Sequence, residues 1–271
     1  MKKLLIFLLA MPVPLFLTNM FAQNGNGNVV EKVRSVEDFT AINVKEGIDL
    51  VLIQSESNKV TVITDENLQD KIITKVDNNT LKIYPNDIKN STKMVVKVEF
   101  KNISAISADE GVDIKTTSGI NVDNMAISLK EGCDADMEIH TKDLSISLVE
   151  GSDMKLKGDM KSLSISLVEG SDMNAEVDAK NIALSVVEGS DINIKGTCKS
   201  AAYSAVEGSE IKAFDLVAEN CVVSVAESSE CQVNATASLV VAAKEDSEVK
   251  YKGNPPDKQI SSCEECEVKA Q

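Results

Sequence analysis

Apolar and polar residues alternate along this chain in short runs, and the runs recur. In the unit from Leu144 to Lys161, Leu144, Ile146 and Leu148 alternate with Ser145 and Ser147. Glu150-Gly151-Ser152-Asp153 interrupts the alternation; Met154 and Leu156 then alternate with Lys155 and Lys157, and Gly158-Asp159 interrupts it again. Period-two alternation marks a strand with one buried face, so the unit predicts two short strands and two turns. A long amphipathic helix is excluded, because a turn signal arrives every 8–10 residues.

Glu-Gly-Ser-Asp stands at Glu150–Asp153, Glu169–Asp172 and Glu188–Asp191, and Glu-Gly-Ser-Glu at Glu207–Glu210. Looser copies begin at Glu110, Glu131, Glu227, Glu245 and Glu264, so successive glutamates lie 18 to 21 residues apart. A fixed period of this size belongs to a solenoid, in which each repeat stacks on the one before. The predicted fold is all-β, a single-stranded parallel β-helix with coils of about 19 residues. Stacking aligns Ile127, Ile146, Ile165, Leu184, Val223 and Val241 in one interior column, and Met154, Met173, Ile192, Ile211, Val249 and Val268 in another. Outward-facing Ser107, Ser128, Ser147, Ser166, Ser185, Ser204, Ser224 and Ser261, broken by Ala242, predict a flat face that serves either structure or binding. Val149, Val168, Val187 and Val206 share the outward parity, either turned inward by a bulge or forming an exposed stripe.

The N-terminal part follows other rules. Residues 1–22 carry Lys2 and Lys3, an apolar run from Leu4 to Leu17 and Met20-Phe21-Ala22, the layout of a cleaved export signal. Pro12 and Pro14 interrupt that run, and no second apolar stretch is long enough to span a bilayer, so no stable membrane insertion is expected after cleavage. Residues 23–28, Gln-Asn-Gly-Asn-Gly-Asn, read as a flexible leader. Residues 29–271 then read as one β-helix domain, with irregular coils over 29–102 and regular repeats over 103–271.

The formal charge of the 271 residues is −15, and loss of the two signal lysines makes it −17. That balance argues against nucleic acid and anionic membrane faces as partners. Trp is absent and aromatic residues make up 3% of the chain, which disfavours an aromatic-lined polysaccharide cleft. Cys221 and Cys231 fall where other repeats place apolar core residues, and Cys198 and Cys133 complete the cysteines before Cys263-x-x-Cys266. That last pair reads as a local disulfide, a redox pair or half a metal site. No second C-x-x-C is present and His140 is the only histidine, so no zinc site is expected.

The stretch Phe39-Thr40-Ala41-Ile42-Asn43-Val44, with Gly47-Ile48-Asp49-Leu50-Val51-Leu52 and Asp65-Glu66-Asn67-Leu68, resembles the head GIN domain of putative auto-transporter adhesins. The third residue of the tripeptide that names the family is here Asp49. The resemblance implies an exported protein whose coils wind as a right-handed parallel β-helix, and it brings no catalytic residues.

The candidate chemistry lies in the stacked acids. Glu131, Glu150, Glu169, Glu188 and Glu207 form one expected column, and Asp134, Asp153, Asp172, Asp191 and Glu210 a second, three residues further on. At a rung spacing of about 4.8 Å, neighbouring unit charges repel by about 0.9 kcal/mol in bulk water. Lysines such as Lys155, Lys157 and Lys195, raised carboxylate pKa values, or hard cations such as Ca²⁺ between rungs are the three available compensations. A repeating corner also needs Gly, Ser and Asp for its geometry alone. The expected protein is an exported, non-enzymatic, adhesin-like or scaffold module without a resident cofactor. Its partner would lie on a cell surface, in a matrix or in an envelope, and the protein itself in the periplasm, at the outer surface or outside the cell. The alternative is a divalent-cation-dependent β-helix that binds or degrades polysaccharide.

Overall fold

The computed structural model describes residues 22–271, so the expected export signal lies outside the described residues apart from Ala22. The chain forms a β-solenoid of about nine turns with coils of ~19 residues. Both interior columns form in register: Ile127, Ile146, Ile165 and Leu184 pair in succession, as do Met154, Met173, Ile192 and Ile211. Tyr203 continues the first column and Cys231 the second, both buried. Cys221 continues the buried column of Leu163, Ile182 and Ala201.

Each regular coil is one long strand rather than two. Asp153–Val168 keeps its parallel pairing through Gly158 and Asp159, which face Ile139 and His140 of the preceding coil. The chain bends there without leaving the ladder, and the reason is steric. Ile139, Val177 and Leu216 are buried at this bend, while the coils between carry Gly158 and Gly196. A Cβ on Gly196, whose φ is +123°, would lie 2.0 Å from the Val177 carbonyl oxygen. Glycine thus lets alternate coils pass beneath the backbone of the coil that fills the bend.

The N-terminal segment closes one end of the stack. Ala41–Lys45 and Asp49–Gln54 form a coil that pairs on one side with Ala105–Asp109 and Asp113–Thr116. On its other side it pairs with Thr80–Pro85 and Met94–Phe100, so spatial order departs from chain order. Antiparallel strands then end the ladder: Lys59–Asp65 lies between Met94–Phe100 and Val29–Arg34, and Ile72–Asp77 lies on Thr80–Pro85. The segment expected as irregular coils therefore contains an antiparallel cover over a strand edge, a site where unpaired backbone invites association. Arg34 ties the cover to the 3₁₀ turn Glu66–Lys71, donating to the Gln69 carbonyl, to Ile72 O at 2.5 Å and to Thr74 Oγ1 at 3.0 Å.

The segment expected as a flexible leader is held by this cover. Gln23–Asn24 pairs with Ile88–Asn90, and the buried Asp65 carboxylate accepts from the Gly27 amide at 2.6 Å and the Thr92 amide at 2.7 Å. Those backbone donors hold the Asp65 carboxyl below the usual carboxylate range.

The two glycine classes predict unequal losses on substitution. Gly196→Ala should cost about 2–3 kcal/mol in urea unfolding, because strain and a backbone collision combine. Gly189→Ala, at φ +66° with nothing within 4 Å of the added Cβ, should cost only about 1 kcal/mol. Equal losses would show that the bend is not sterically closed.

Candidate functional site

The Glu-Gly-Ser corner is built from strained backbone. Glu150 has φ +57° and Gly151 φ +66°, and the same left-handed pair recurs at Glu131-Gly132, Glu169-Gly170, Glu188-Gly189 and Glu207-Gly208. Two successive left-handed residues reverse the chain tightly. Glycine adopts this conformation freely, whereas each glutamate costs about 1–2 kcal/mol. Backbone bonds between coils offset the cost: the Gly151 amide donates to Glu169 O, and Gly170 to Glu188 O, each at 3.0 Å.

Serine fills the inside of the corner. Ser152, Ser171, Ser190, Ser209, Ser229 and Ser247 are at most 2% exposed. The Ser171 hydroxyl donates to the Val168 carbonyl at 2.9 Å and accepts from the Ser152 amide at 3.3 Å. Ser152 and Ser171 thus each close their own turn and satisfy the amide of the coil before, while Ser190 and Ser229 accept from the preceding coil and Ser209 donates to Val206 O. Cys133 takes the same place: its thiol donates to Lys130 O at 2.9 Å and accepts from the Val112 amide at 3.4 Å. Cys266 occupies this column too, 3.9 Å from the Ser247 hydroxyl, and is disulfide-bonded to Cys263. Of the three readings of that pair, the structure shows the local disulfide.

The corner sends the two acidic columns apart. Glu150, Glu169, Glu188 and Glu207 are exposed at the tip of the turn. Asp134, Asp153, Asp172, Asp191 and Glu210 open the strands in one register. A shallow groove of about 440 Å³ follows this second column, lined by Asp113, Asp134, Asp153, Asp172, Lys115 and Lys155, with none of the corner glutamates. Glu131 instead approaches Asp109 and Glu110, with carboxylate oxygens within 4.8 Å of one another. Asp109 is already paired with Lys45 at 2.7 Å.

Compensation for the repulsion changes along the stack. Partial burial, then the neighbouring ladder aspartates, raise the Asp134 and Asp172 carboxyls above the usual carboxylate range. Further along, Lys250 lies 2.8 Å from both Glu230 and Glu248, and Lys212 lies 2.7 Å from Glu210. Hydrogen bonds from Lys250 hold the Glu230 carboxyl down and push the Lys250 ammonium up. Of Lys155, Lys157 and Lys195, Lys195 alone pairs among the described residues, with Glu176 at 3.2 Å. The outward serines also stand in register, from Ser107 through Ser204, while Val149, Val168, Val187 and Val206 are half-buried.

Two features of the surface escaped the sequence reading. His140 joins Asp159 through Nδ1 at 2.5 Å and Glu138 through Nε2 at 3.2 Å, which raises its pKa. Lys142, Lys161, Lys180 and Lys199 stack at the bend remote from the glutamates, because their flanking residues pair in register. Their 19-residue spacing was visible in the sequence, but the more frequent acidic repeat masked it.

This architecture has relatives. The family described as putative auto-transporter adhesin, head GIN domain, matches residues 38–176 and 159–255. The chain belongs to this family. No curated protein matches the chain. Among solved structures, a putative adhesin from Parabacteroides merdae is similar at 21% identity and a TM-score of 0.68, covering 92% of this chain and 98% of its own. A putative adhesin from Parabacteroides distasonis shares 21% identity at a TM-score of 0.66, with 91% and 99% covered. A structure from the same organism called a putative lipid binding protein shares 23% at 0.65, with 91% and 99% covered. At these identities the likeness establishes the fold of this head GIN protein and nothing finer. No helix among the described residues is long and apolar enough to cross a membrane.

The corner and the ladder of this head GIN protein are separately testable. Ser171→Ala should cost about 1–3 kcal/mol, because it strips the buried Ser152 amide of its acceptor. Ser171→Cys should lose clearly less, since Cys133 already performs this role. Asp172 has a folded pKa above its unfolded value, so its favourable contribution is full below the unfolded pKa and is lost as pH rises through the folded one. Asp172→Asn should therefore be more stable than wild type at pH 7. The difference should shrink as pH falls through the carboxylate range; a pH-independent difference in urea midpoints would contradict this.

Proposed function

We propose that the protein is an exported, non-enzymatic adhesin-like module that presents repeated surface ladders to a cell-surface, matrix or envelope partner. The observation carrying this reading is the uniformity of the coils, 18 to 21 residues between corner glutamates. A catalytic cleft on a solenoid needs loops of unequal length to surround one special position. Here each outward column repeats over successive coils, which suits many equivalent contacts along an extended partner. Membership of an adhesin family supports the same reading.

A second reading places divalent cations at the corner. The approach of Asp109, Glu110 and Glu131 favours it, because hard cations collect several carboxylate oxygens. On the first reading, millimolar Ca²⁺ and NaCl of matched ionic strength should raise the melting temperature equally, by screening alone. A saturable rise specific to Ca²⁺, weakened in Glu131→Gln, would favour the cation reading.

The partner itself is sought with immobilised protein beginning at Gln23, exposed to envelope fractions of the producing cell. Saturable retention of one component, displaced by free protein, is the expected outcome. Retention of nothing, together with turnover of an acidic or neutral polysaccharide, would sink the non-enzymatic reading.

A further inference from the structure

The most unusual patch on this acidic chain is a cationic one. Lys142, Lys161, Lys180 and Lys199 form a column at the bend between two faces, all exposed, with rungs about 4.8 Å apart. Lys142 pairs with Asp123 at 2.8 Å and is the one rung with an ion pair among the described residues. Asp123 and the exposed Glu219 occupy the rungs before Lys142 and after Lys199, and two nearer acids are engaged elsewhere. Asp159 binds His140, and Asp178 accepts from the Thr197 hydroxyl at 2.6 Å and the Thr197 amide at 3.1 Å. The next position outward changes from Asp143 to Ser162, Asn181 and Ser200, so hydrogen-bonding side chains accompany the three unpaired lysines.

A groove runs beside Lys142, Lys161 and Lys180, with Asp143 in its lining. It encloses about 480 Å³, with Leu144, Leu163 and Ile182 in its floor and Ser145, Ser164 and Ala183 along it. Small side chains keep it shallow and flat. A ligand lying there meets an apolar strip on one side and a row of ammonium groups on the other.

We infer that Lys161, Lys180 and Lys199, with this adjoining groove, bind a linear anionic polysaccharide, one acidic sugar per coil. The spacing selects the class. An acidic β-strand presents same-face carboxylates every 6.6–6.8 Å or so, twice the rise per residue. A strand of duplex DNA presents phosphates about every 3.4 Å. Both lose register with a ladder of about 4.8 Å within a few rungs. An extended chain of pyranoses advances by about one coil height per sugar and offers C–H faces to an apolar strip. The contact needs no aromatic stacking, in keeping with a chain without Trp. The net charge of −15 opposes approach at long range, so binding depends on contacts inside a Debye length of about 8–10 Å.

This inference rests on the binding-module reading and names the ligand class for one face. The test measures retention of polygalacturonate, dextran sulfate, neutral dextran and poly-glutamate on immobilised protein at low and physiological salt. It compares wild type with Lys161→Gln/Lys180→Gln/Lys199→Gln and with a control of equal charge change, Lys115→Gln/Lys155→Gln/Lys195→Gln. Either acidic glycan should bind wild type, and the ladder variant should weaken it by about tenfold or more while the control binds like wild type. Neutral dextran should not bind, and the ladder variant should melt like wild type, since Lys161, Lys180 and Lys199 are exposed and carry no ion pair among the described residues. Equal losses in both variants, poly-glutamate binding as tightly as the glycans, or no glycan binding to wild type would each overturn the inference. If the ladder variant still captures the envelope partner while wild type ignores both glycans, this assignment fails and the binding-module reading survives.

Discussion

Each coil of this solenoid must reverse direction within three residues while its backbone stays paired to the coils above and below. The Glu-Gly-Ser corner meets that constraint. Two left-handed residues make the reversal, and a buried serine then closes the turn and receives an amide from the adjacent coil. Because the same hydroxyl serves two coils, the corner is both a turn and a joint. The register of every other column follows from it: once successive Ser residues are locked one above another, the strands between them have little freedom to slip.

Register has a consequence that is electrostatic. A side chain that is harmless once becomes a ladder when repeated at the rise of the coils. The chain handles this differently in different places. In the middle of the stack, Asp134 and Asp172 have raised pKa values, while towards Lys250 lysines bridge successive carboxylates. At the corner itself the glutamates stand out into water, where screening is greatest. The remote bend instead carries a column of four lysines, bounded by Asp123 and Glu219.

Such a surface is suited to extended partners. Contacts along a ladder are individually weak, as exposed charge pairs generally are, and gain strength by repetition. A protein that works this way needs rigid coils of constant height more than it needs a pocket. At the N-terminal end the parallel stack gives way to antiparallel strands, which end the run of parallel coils there.

The period of Glu-Gly-Ser-Asp and the alternation around it determined the coil length, the interior columns and the in-register acids, since each is a local property repeated. The sequence also placed Cys221 and Cys231 in the core through the same alternation. Other features depended on which coil lies beside which. Gly158 looks like a turn residue, yet it sits in a ladder, where the Ile139 carbonyl of the preceding coil leaves no room for a Cβ. Gln23–Asn24 looks free, yet it pairs with Ile88–Asn90, far away in sequence. The order of the N-terminal coils, the division of the acids between a tip and a groove, and the lysines left unpaired at the bend were likewise decided in three dimensions. Spacing along a chain fixes what stacks on what, but charge compensation and steric closure depend on neighbours that only folding brings together.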